Sequence, residues 1–531
     1  MSGSMAPGGW SGSERGMWTA FRRGEWYADG GEVRASVVRR LLHAPPPAEP
    51  GHLPRLRLRN VTITGRLDLA EAVVAGTLRL RNCRFEQAPC LDGASLGALE
   101  LRDCVLPGLS AVGVTIGRQC EITGCRVGGP MDLYGASIGG TLHLENSHLT
   151  GHGHRRGEGA LQLLCATVGG DIQAGSGLRV HGCTDLRDTS VRGSVVLKRA
   201  ELRNPSGSAL KANRLHIGGD LNCRGGLVAE GTVDLCDAKV GGGALFEEAS
   251  LAAEDGRPAL RAHGIDVGAE FNLCDGFTAR GRLSMSSITV RSRFCFKDGL
   301  VEAPAGQPAL LSRRSTASEL DIRFREPVHG TVDLSHARVT VLNGTPESWP
   351  TALRMEGAVY DSLLPQLPAP QRLPLLARDP EGFTPQPYEQ LAAAYRLHGH
   401  DGDARTVLLA KQRRLRTTLP WPGRVWSHLQ DITVGYGYRP MRAVWWLCAI
   451  MLSGILLFTR WPPQPIDPGK PPRFQAAIYT FDLVLPLVDF GQEQAFSPRG
   501  GLQWAAVVLV CLGWLLATTA AAGANRTLRR E

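Results

Sequence analysis

The sequence predicts a mainly β chain, built as a right-handed β-solenoid followed by a helical hairpin and two C-terminal transmembrane helices. Three observations carry that prediction. Cys83, Cys104 and Cys125 recur every 21 residues, with Ser147 following after 22. The dipeptides Ala160-Leu161, Ala209-Leu210, Ala259-Leu260 and Ala309-Leu310 recur at spacings of 49, 50 and 50. Two uncharged apolar runs, 443–459 and 501–525, lie in the C-terminal third. Glycine agrees: 64 of 531 residues is about 12%, against roughly 7% in ordinary proteins, as a chain of many turns requires.

Residues 1–16 are Gly/Ser-rich without an apolar core, so they read as a disordered N-terminus rather than a secretory leader. Within 17–54, Val33, Val37, Val38, Leu41 and Leu42 stand at helical spacing and Pro45-Pro-Pro47 stops the run. This reads as an N-terminal helical cap, since a solenoid needs its first strand edge covered. From 55 to 345 the solenoid itself is expected. Leu80, Leu101, Ile122 and Leu144 precede the Cys/Ser column, and Phe85, Leu106, Val127 and Leu149 follow it. Further on, Val168, Val191, Ile217, Val240, Val267 and Val290 recur at 23, 26, 23, 27 and 23, so every second coil is longer.

The longer coils carry polar stretches before each Ala-Leu pair: Asn204-Pro-Ser-Gly207, Glu254-Asp-Gly-Arg-Pro258 and Ala305-Gly-Gln-Pro308. These loops should stack on one side as a candidate binding face. The pairs Gly139-Gly140, Gly169-Gly170 and Gly218-Gly219 are expected at corners needing positive φ. The 13 cysteines contain no Cys-x-x-Cys pair. They read as reduced, mostly buried thiols, with the Cys83/Cys104/Cys125 column a ladder of small inward side chains rather than a redox or metal column.

Residues 346–383 form a Pro-rich linker, and 384–440 a helical hairpin and juxtamembrane segment turning at Gly399-His-Asp-Gly402. Transmembrane helix 1 is placed at 441–460 and transmembrane helix 2 at 501–525, each long enough to cross about 30 Å of hydrocarbon, the first barely. The loop 461–500 holds an apolar segment, 476–490, broken by Asp482, Pro486 and Asp489 and therefore interfacial or re-entrant. The tail 526–531 is basic. The expected membrane-interface residues are Lys411, Arg413, Arg414, Arg416, Arg442, Trp445, Trp446, Arg460, Trp504, Arg526, Arg529 and Arg530. Basic residues before the first run and after the second place both termini and the solenoid on the cytoplasmic side of the cytoplasmic membrane. Residues 411–416 would also meet anionic lipid. Much of the net charge of +9 thus reports orientation, and no nucleic-acid partner is inferred.

No Rossmann, Walker, His-Glu-x-x-His or Gly-x-Ser-x-Gly motif is present. The pairs His152/His154 and His398/His400 lie in turns without a third ligand. Asp132, Asp171, Asp185, Asp220, Asp234 and Asp266 are spread along the strands rather than clustered. Thr433-Val-Gly-Tyr-Gly437 spells a potassium-filter string, but it precedes the first apolar run instead of lying between the two. A turn into the membrane helix, with Tyr436 and Tyr438 at the interface, fits better. No catalytic, cofactor or metal site is read.

Gly65-Arg-Leu-Asp-Leu69, the repeated Val/Ile-Gly-Gly-x-Leu/Ile runs, Tyr388-Glu-Gln-Leu, Gly435-Tyr-Gly-Tyr-Arg-Pro440 and Leu485-Pro-Leu-Val-Asp489 are the residues that carry a resemblance. In these the chain resembles bacterial membrane-attached proteins with pentapeptide-like solenoids, whose members are often labelled membrane-associated oxidoreductase. The resemblance implies a pentapeptide-like or β-helix coil and a membrane location. The oxidoreductase label has no redox motif here to support it, so the reading leans away from an enzyme. The leading expectation is a membrane-anchored scaffold with the lipid bilayer and other proteins as partners. An oxidoreductase and a bactofilin-like polymer of this chain are the alternatives.

Overall fold

The computed structural model describes residues 9–151, 159–304, 306–434, 436, 440–467, 469, 473–485 and 490–528. The chain divides into two compact units, 1–390 and 391–531. The first is a β-solenoid of about 13 coils. Its strands form two parallel sheets of 21 strands each. Each typical coil gives two short strands to each sheet, for example Met131–Asp132, Ser137–Ile138, Leu142–His143 and His148–Thr150. Four in-register ladders result, such as Ile116, Ile138, Val168, Val191, Ile217, Val240, Val267 and Val290 in one column.

Strand alternation sends every second side chain inward. Leu133, Ala136, Ile138, Leu142, Leu144, Ser147 and Leu149 of one coil are all buried, each against its equivalent one coil away. The Cys column is part of this core. The thiol of Cys83 donates to Leu58 O at 3.7 Å, Cys104 to Leu80 O at 3.5 Å and Cys125 to Leu101 O at 3.4 Å. Ser147 Oγ donates to Ile122 O at 2.9 Å and continues the column. The column then alternates: Ser147, Ala200, Ala249 and Gly299 fall in coils that carry a loop insertion, and Leu178, Leu227 and Phe277 in the coils between. Large layers lie on small ones, which gives the 50-residue period a packing reason. Phe246, Phe271, Phe294, Phe296 and Phe324 form an inner aromatic run with successive centroids 6.0, 5.5, 4.6 and 5.3 Å apart.

The glycine pairs are not at positive-φ corners. Those corners are held mainly by other residues, including Asn60, Asn82, Asp103, Asn146, Asp188, Arg214 and Asp237, with φ between 49° and 59°. Asn and Asp tolerate this region through local hydrogen bonding. Gly139, Gly169, Gly218, Gly241 and Gly268 have a different reason. A Cβ at each would lie 2.1–2.4 Å from a carbonyl oxygen of the preceding coil. The constraint is close approach between coils, and from Gly97 to Gly268 only Arg192 in this column carries a side chain.

Both strand edges are covered. Helix α1 (Gly12–Arg23) starts with a capping box of Ser11 and Glu14. Residues 12–16, expected to be disordered, are therefore its first turn; 1–8 lie outside the described residues. Glu14 is buried and takes a bidentate pair from Arg34 at 2.7 and 2.8 Å. The segment expected as one helix at 31–43 divides into a strand, Glu32–Arg34, and α2 (Ala35–His43). That strand pairs with Thr62–Thr64 of one sheet, and Tyr27 bridges Leu58 of the other. Strands continue past residue 345 to Ala352–Arg354 and Val359–Leu364, so part of the expected linker is solenoid. Beyond them lies α3 (Ala369–Leu376), and α4 (Gln386–Leu397) begins. Gln386 Oε1 accepts Gly357 N–H at 2.9 Å, its Nε2 donates to Ala358 O at 3.1 Å, and Gln390 Nε2 to Tyr360 O at 2.7 Å. These side chains occupy the last strand edge.

In the second unit, α5 (Asp401–Thr418), α6 (Trp421–Val434), α7 (Pro440–Arg460), α8 (Ala476–Val484), α9 (Gln492–Ala495) and α10 (Gly501–Leu528) follow. The segment expected as a hairpin holds the two helices α4 and α5. Phe458, Tyr479, Leu483, Val484, Phe496, Ala506 and Leu509 form the core that joins α7, α8 and α10.

Two outcomes test these packing arguments. Gly241→Ala should destabilise the purified chain by roughly 1–3 kcal/mol, whereas Gly117→Ala, whose nearest atom would be 3.6 Å away, should melt like the parent. Arg34 chiefly, through its hydrogen bonds, holds Glu14 at about 2 against an ordinary 4.5. A carboxyl lowered on folding stabilises above its unfolded pKa and loses that stabilisation as pH falls through the folded value. Glu14→Gln should thus cost roughly 3 kcal/mol near neutral pH. Its melting curve should converge on the parent's by about pH 2.

Candidate functional site

On the solenoid, the insertion loops gather on one side, as their spacing predicts. Ala160, Ala209, Ala259 and Ala309, with the leucines after them, are buried and fix each loop's return to the stack. The loops touch one another two coils apart: Arg257 donates to Ser206 O, and a Cβ at Gly256 would lie 2.8 Å from Gln307 Nε2. They form a ridge rather than separate projections. At its start, His181, Gly182, Arg203, Asn204 and Glu230 line a cleft of about 450 Å³. Residues 152–158, including His152 and His154, and Ala305 lie outside the described residues.

The dispersed aspartates serve the coils. Asp171 accepts Ser194 N–H and Asp220 accepts Gly243 N–H, each at 2.8 Å and each from the next coil. Asp185 pairs with Arg187 at 2.6 Å, and Asp234 with Arg261 at 3.3 Å. Contact with the next thiol in the column, then burial, pushes Cys83 far up and Cys104 up to about 12; burial, with the charge of Glu121, does the same for Cys120. Such thiols are poor nucleophiles at neutral pH. Among the described residues no group of three or more His, Cys, Asp or Glu side chains could hold a metal ion. His398 and His400 are exposed at the α4–α5 turn.

The expected membrane-interface residues fall in the second unit, and the structure sorts them. Asp431 on α6 draws in several of the cations. Arg413 forks onto its carboxylate at 3.0 and 3.1 Å, Arg416 lies at 3.5 Å, and Arg442 donates to its carbonyl at 3.1 Å. These three are engaged inside the unit, so Asp431 offsets part of the charge that the sequence leaves for anionic lipid. Arg414 is exposed and Lys411 half-buried. Trp445, Trp446 and Trp504 are exposed at 72%, 44% and 75%. Arg460 stacks over Trp461, its guanidinium 5.1 Å from the ring centroid. Arg526 lies in α10, while Arg529 and Arg530 lie outside the described residues. Of the filter-like string, Thr433 and Val434 end α6; Gly435, Gly437 and the neighbouring Tyr438 lie outside the described residues.

Among the described residues one helix is long and apolar enough to cross a membrane, over Gly501–Thr518 of α10. The apolar part of α7, Val444–Arg460, is shorter: 17 residues rise only about 25 Å. The two expected spanning helices are therefore supported for one arm. Of segment 476–490, Ala476–Val484 forms α8, which wedges against both; Pro486 and Asp489 lie outside the described residues. A Cβ at Gly454 of α7 would lie 2.5 Å from Thr480 Cγ2, and one at Gly513 of α10 would lie 2.2 Å from Val484 O. Asp482, which breaks the apolar pattern, accepts Phe490 and Gln492 N–H, each at 2.7 Å. Sequence reading passed over Asp431, Gly454 and Gly513. Glycines inside apolar helices are the signal that marks close helix contact.

Asp431→Asn should release Arg413 and Arg416, and hydrogen exchange should rise across α5 and α6. Arg414→Ala should leave that exchange unchanged. Comparisons with family models, with curated proteins and with solved structures find nothing that matches this chain.

Proposed function

We propose that this chain is a membrane-anchored scaffold, a β-solenoid that presents its lateral faces to protein partners at the cytoplasmic face of a membrane. The observation that carries the membrane part is the outer surface of α7 and α10. Leu452 and Leu456 on one, and Val507, Val508 and Trp514 on the other, are 52–63% exposed on helices already packed together through α8. An apolar surface of that extent needs a lipid or protein cover. Although its apolar run is short, α7 as a whole has 21 residues, which rise about 31 Å. Trp445 and Trp446 near one end and Trp461 at the other suit two interfaces, and Arg460 can extend toward headgroups.

The scaffold part draws on the loop ridge, which varies in sequence on an otherwise regular stack, as binding loops on a rigid frame do. The covered strand edges favour lateral partners over end-to-end polymerisation. The oxidoreductase reading gains no support from the buried, high-pKa thiols.

Topology is the sharpest test. Cys448 and Cys511 are replaced by alanine, native Cys165, which is exposed, reports the solenoid, and Gln464→Cys reports the inter-helix loop. A membrane-impermeant maleimide added to intact cells should label residue 464 and reach Cys165 only after permeabilisation. Labelling of both from the same side would sink the two-span anchor.

A further inference from the structure

The outer face of the first coils holds an arginine array that its own carboxylates do not neutralise. Arg57 pairs in register with Arg79, and Arg59 with Arg81, on neighbouring parallel strands; Arg102 continues the second column. Like charges directly opposite one another are destabilising. Part of that cost is offset. Glu100, only 3% exposed, receives Arg79 at 2.9 Å, Arg81 at 2.7 Å and Arg102 at 3.3 Å. Arg102 also meets Glu121 at 2.7 Å. The guanidinium carbons of Arg59 and Arg81 lie 5.3 and 4.8 Å from the centroid of the same ring, Trp26, so two cations converge on one indole.

The first coil has no such compensation. Arg55, Arg57 and Arg59 alternate onto the outer face, and none has a carboxylate at ion-pair distance among the described residues. The Nε of Arg57 is buried without a hydrogen-bond acceptor. Burial, then the charges of Arg79 and Arg55, lowers the pKa of its guanidinium. Arg55, Arg57 and Arg59 thus stand without a carboxylate beside Arg79 and Arg81, which share Glu100, and a buried donor without an acceptor sits in their midst. Tetrahedral oxyanions with more than one charge match such convergent planar forks.

We propose that this face, centred on Arg57 and edged by Arg59, Arg79, Arg81 and Trp26, is a binding site for a phosphate-bearing anion. The phosphate can belong to a soluble molecule or to a lipid headgroup, since both present the same oxygens. Arg57 and Arg59 supply donors that lack an acceptor among the described residues. Arg79 and Arg81 are shared with Glu100, and the indole walls one side.

The test uses the full chain in detergent, with inorganic pyrophosphate and glycerophosphoglycerol, a soluble phospholipid headgroup, as probes. Binding is read by calorimetry and by the ligand-induced rise in melting temperature. Pyrophosphate should bind saturably, and both Arg57→Gln and Arg59→Gln should weaken it by about ten-fold or more. Arg280→Gln, removing an exposed arginine on the other sheet, should have no effect. Without ligand, Arg57→Gln should melt at the parent's temperature or above, because it relieves repulsion; a structural arginine would behave oppositely. Binding of both probes identifies a headgroup site, and binding of pyrophosphate alone identifies a soluble phosphate. Failure of both probes, or loss equal to that of Arg280→Gln, would overturn the proposal, as would a lowered ligand-free melting temperature.

Discussion

Everything in the first unit depends on parallel, in-register stacking of successive coils at one strand spacing, about 4.8 Å. At that separation backbone hydrogen bonds run from coil to coil, and every position in a coil has an equivalent directly above and below. Each column must therefore be self-compatible. Inward columns accept Leu, Ile, Val and Phe because like apolar side chains pack on themselves. They accept Cys and Ser because Sγ and Oγ can donate to a carbonyl one coil away. A column at a closely approaching corner accepts glycine because a Cβ would meet the carbonyl of the coil before. Outward columns accept acid beside base, as with Glu100 and its arginines, and are costly where arginine faces arginine.

The same stacking creates two problems that the fold solves with side chains. An open strand edge presents unpaired backbone groups. At one end the Glu32–Arg34 strand pairs with that edge, locked by the Glu14–Arg34 pair. At the other end two glutamine side chains supply the missing donors and acceptor. Insertions every second coil must also leave the ladders in register. The small residues at Ser147, Ala200, Ala249 and Gly299, set against Leu178, Leu227 and Phe277, show the inner layers adjusting in step with the outer loops.

The second unit follows another rule. Its helices α7, α8 and α10 are apolar around most of their circumference, so burial of a stripe does not choose their contacts. Glycine does: Gly454 and Gly513 let α8 approach two longer helices closely. Asp482 satisfies backbone N–H groups where the chain enters α9, and Asp431 gathers arginines that would otherwise repel one another.

The sequence by itself determined the periodic part. The 21-residue and 50-residue repeats, the Cys column and the stacked loops were all legible, because one-dimensional spacing is what stacking reads. The reason for the glycine pairs was not legible, since a corner needing positive φ and a corner crowded by the next coil look alike in sequence. Nor were the caps, where Glu14 finds Arg34 twenty residues away and Gln386 reaches strand atoms through contacts without period. The arginine array and the Asp431 cluster belong to the same class. Sequence counts charges, but only the tertiary structure decides which are neutralised within a few ångströms and which, like Arg57, are left with a donor unused.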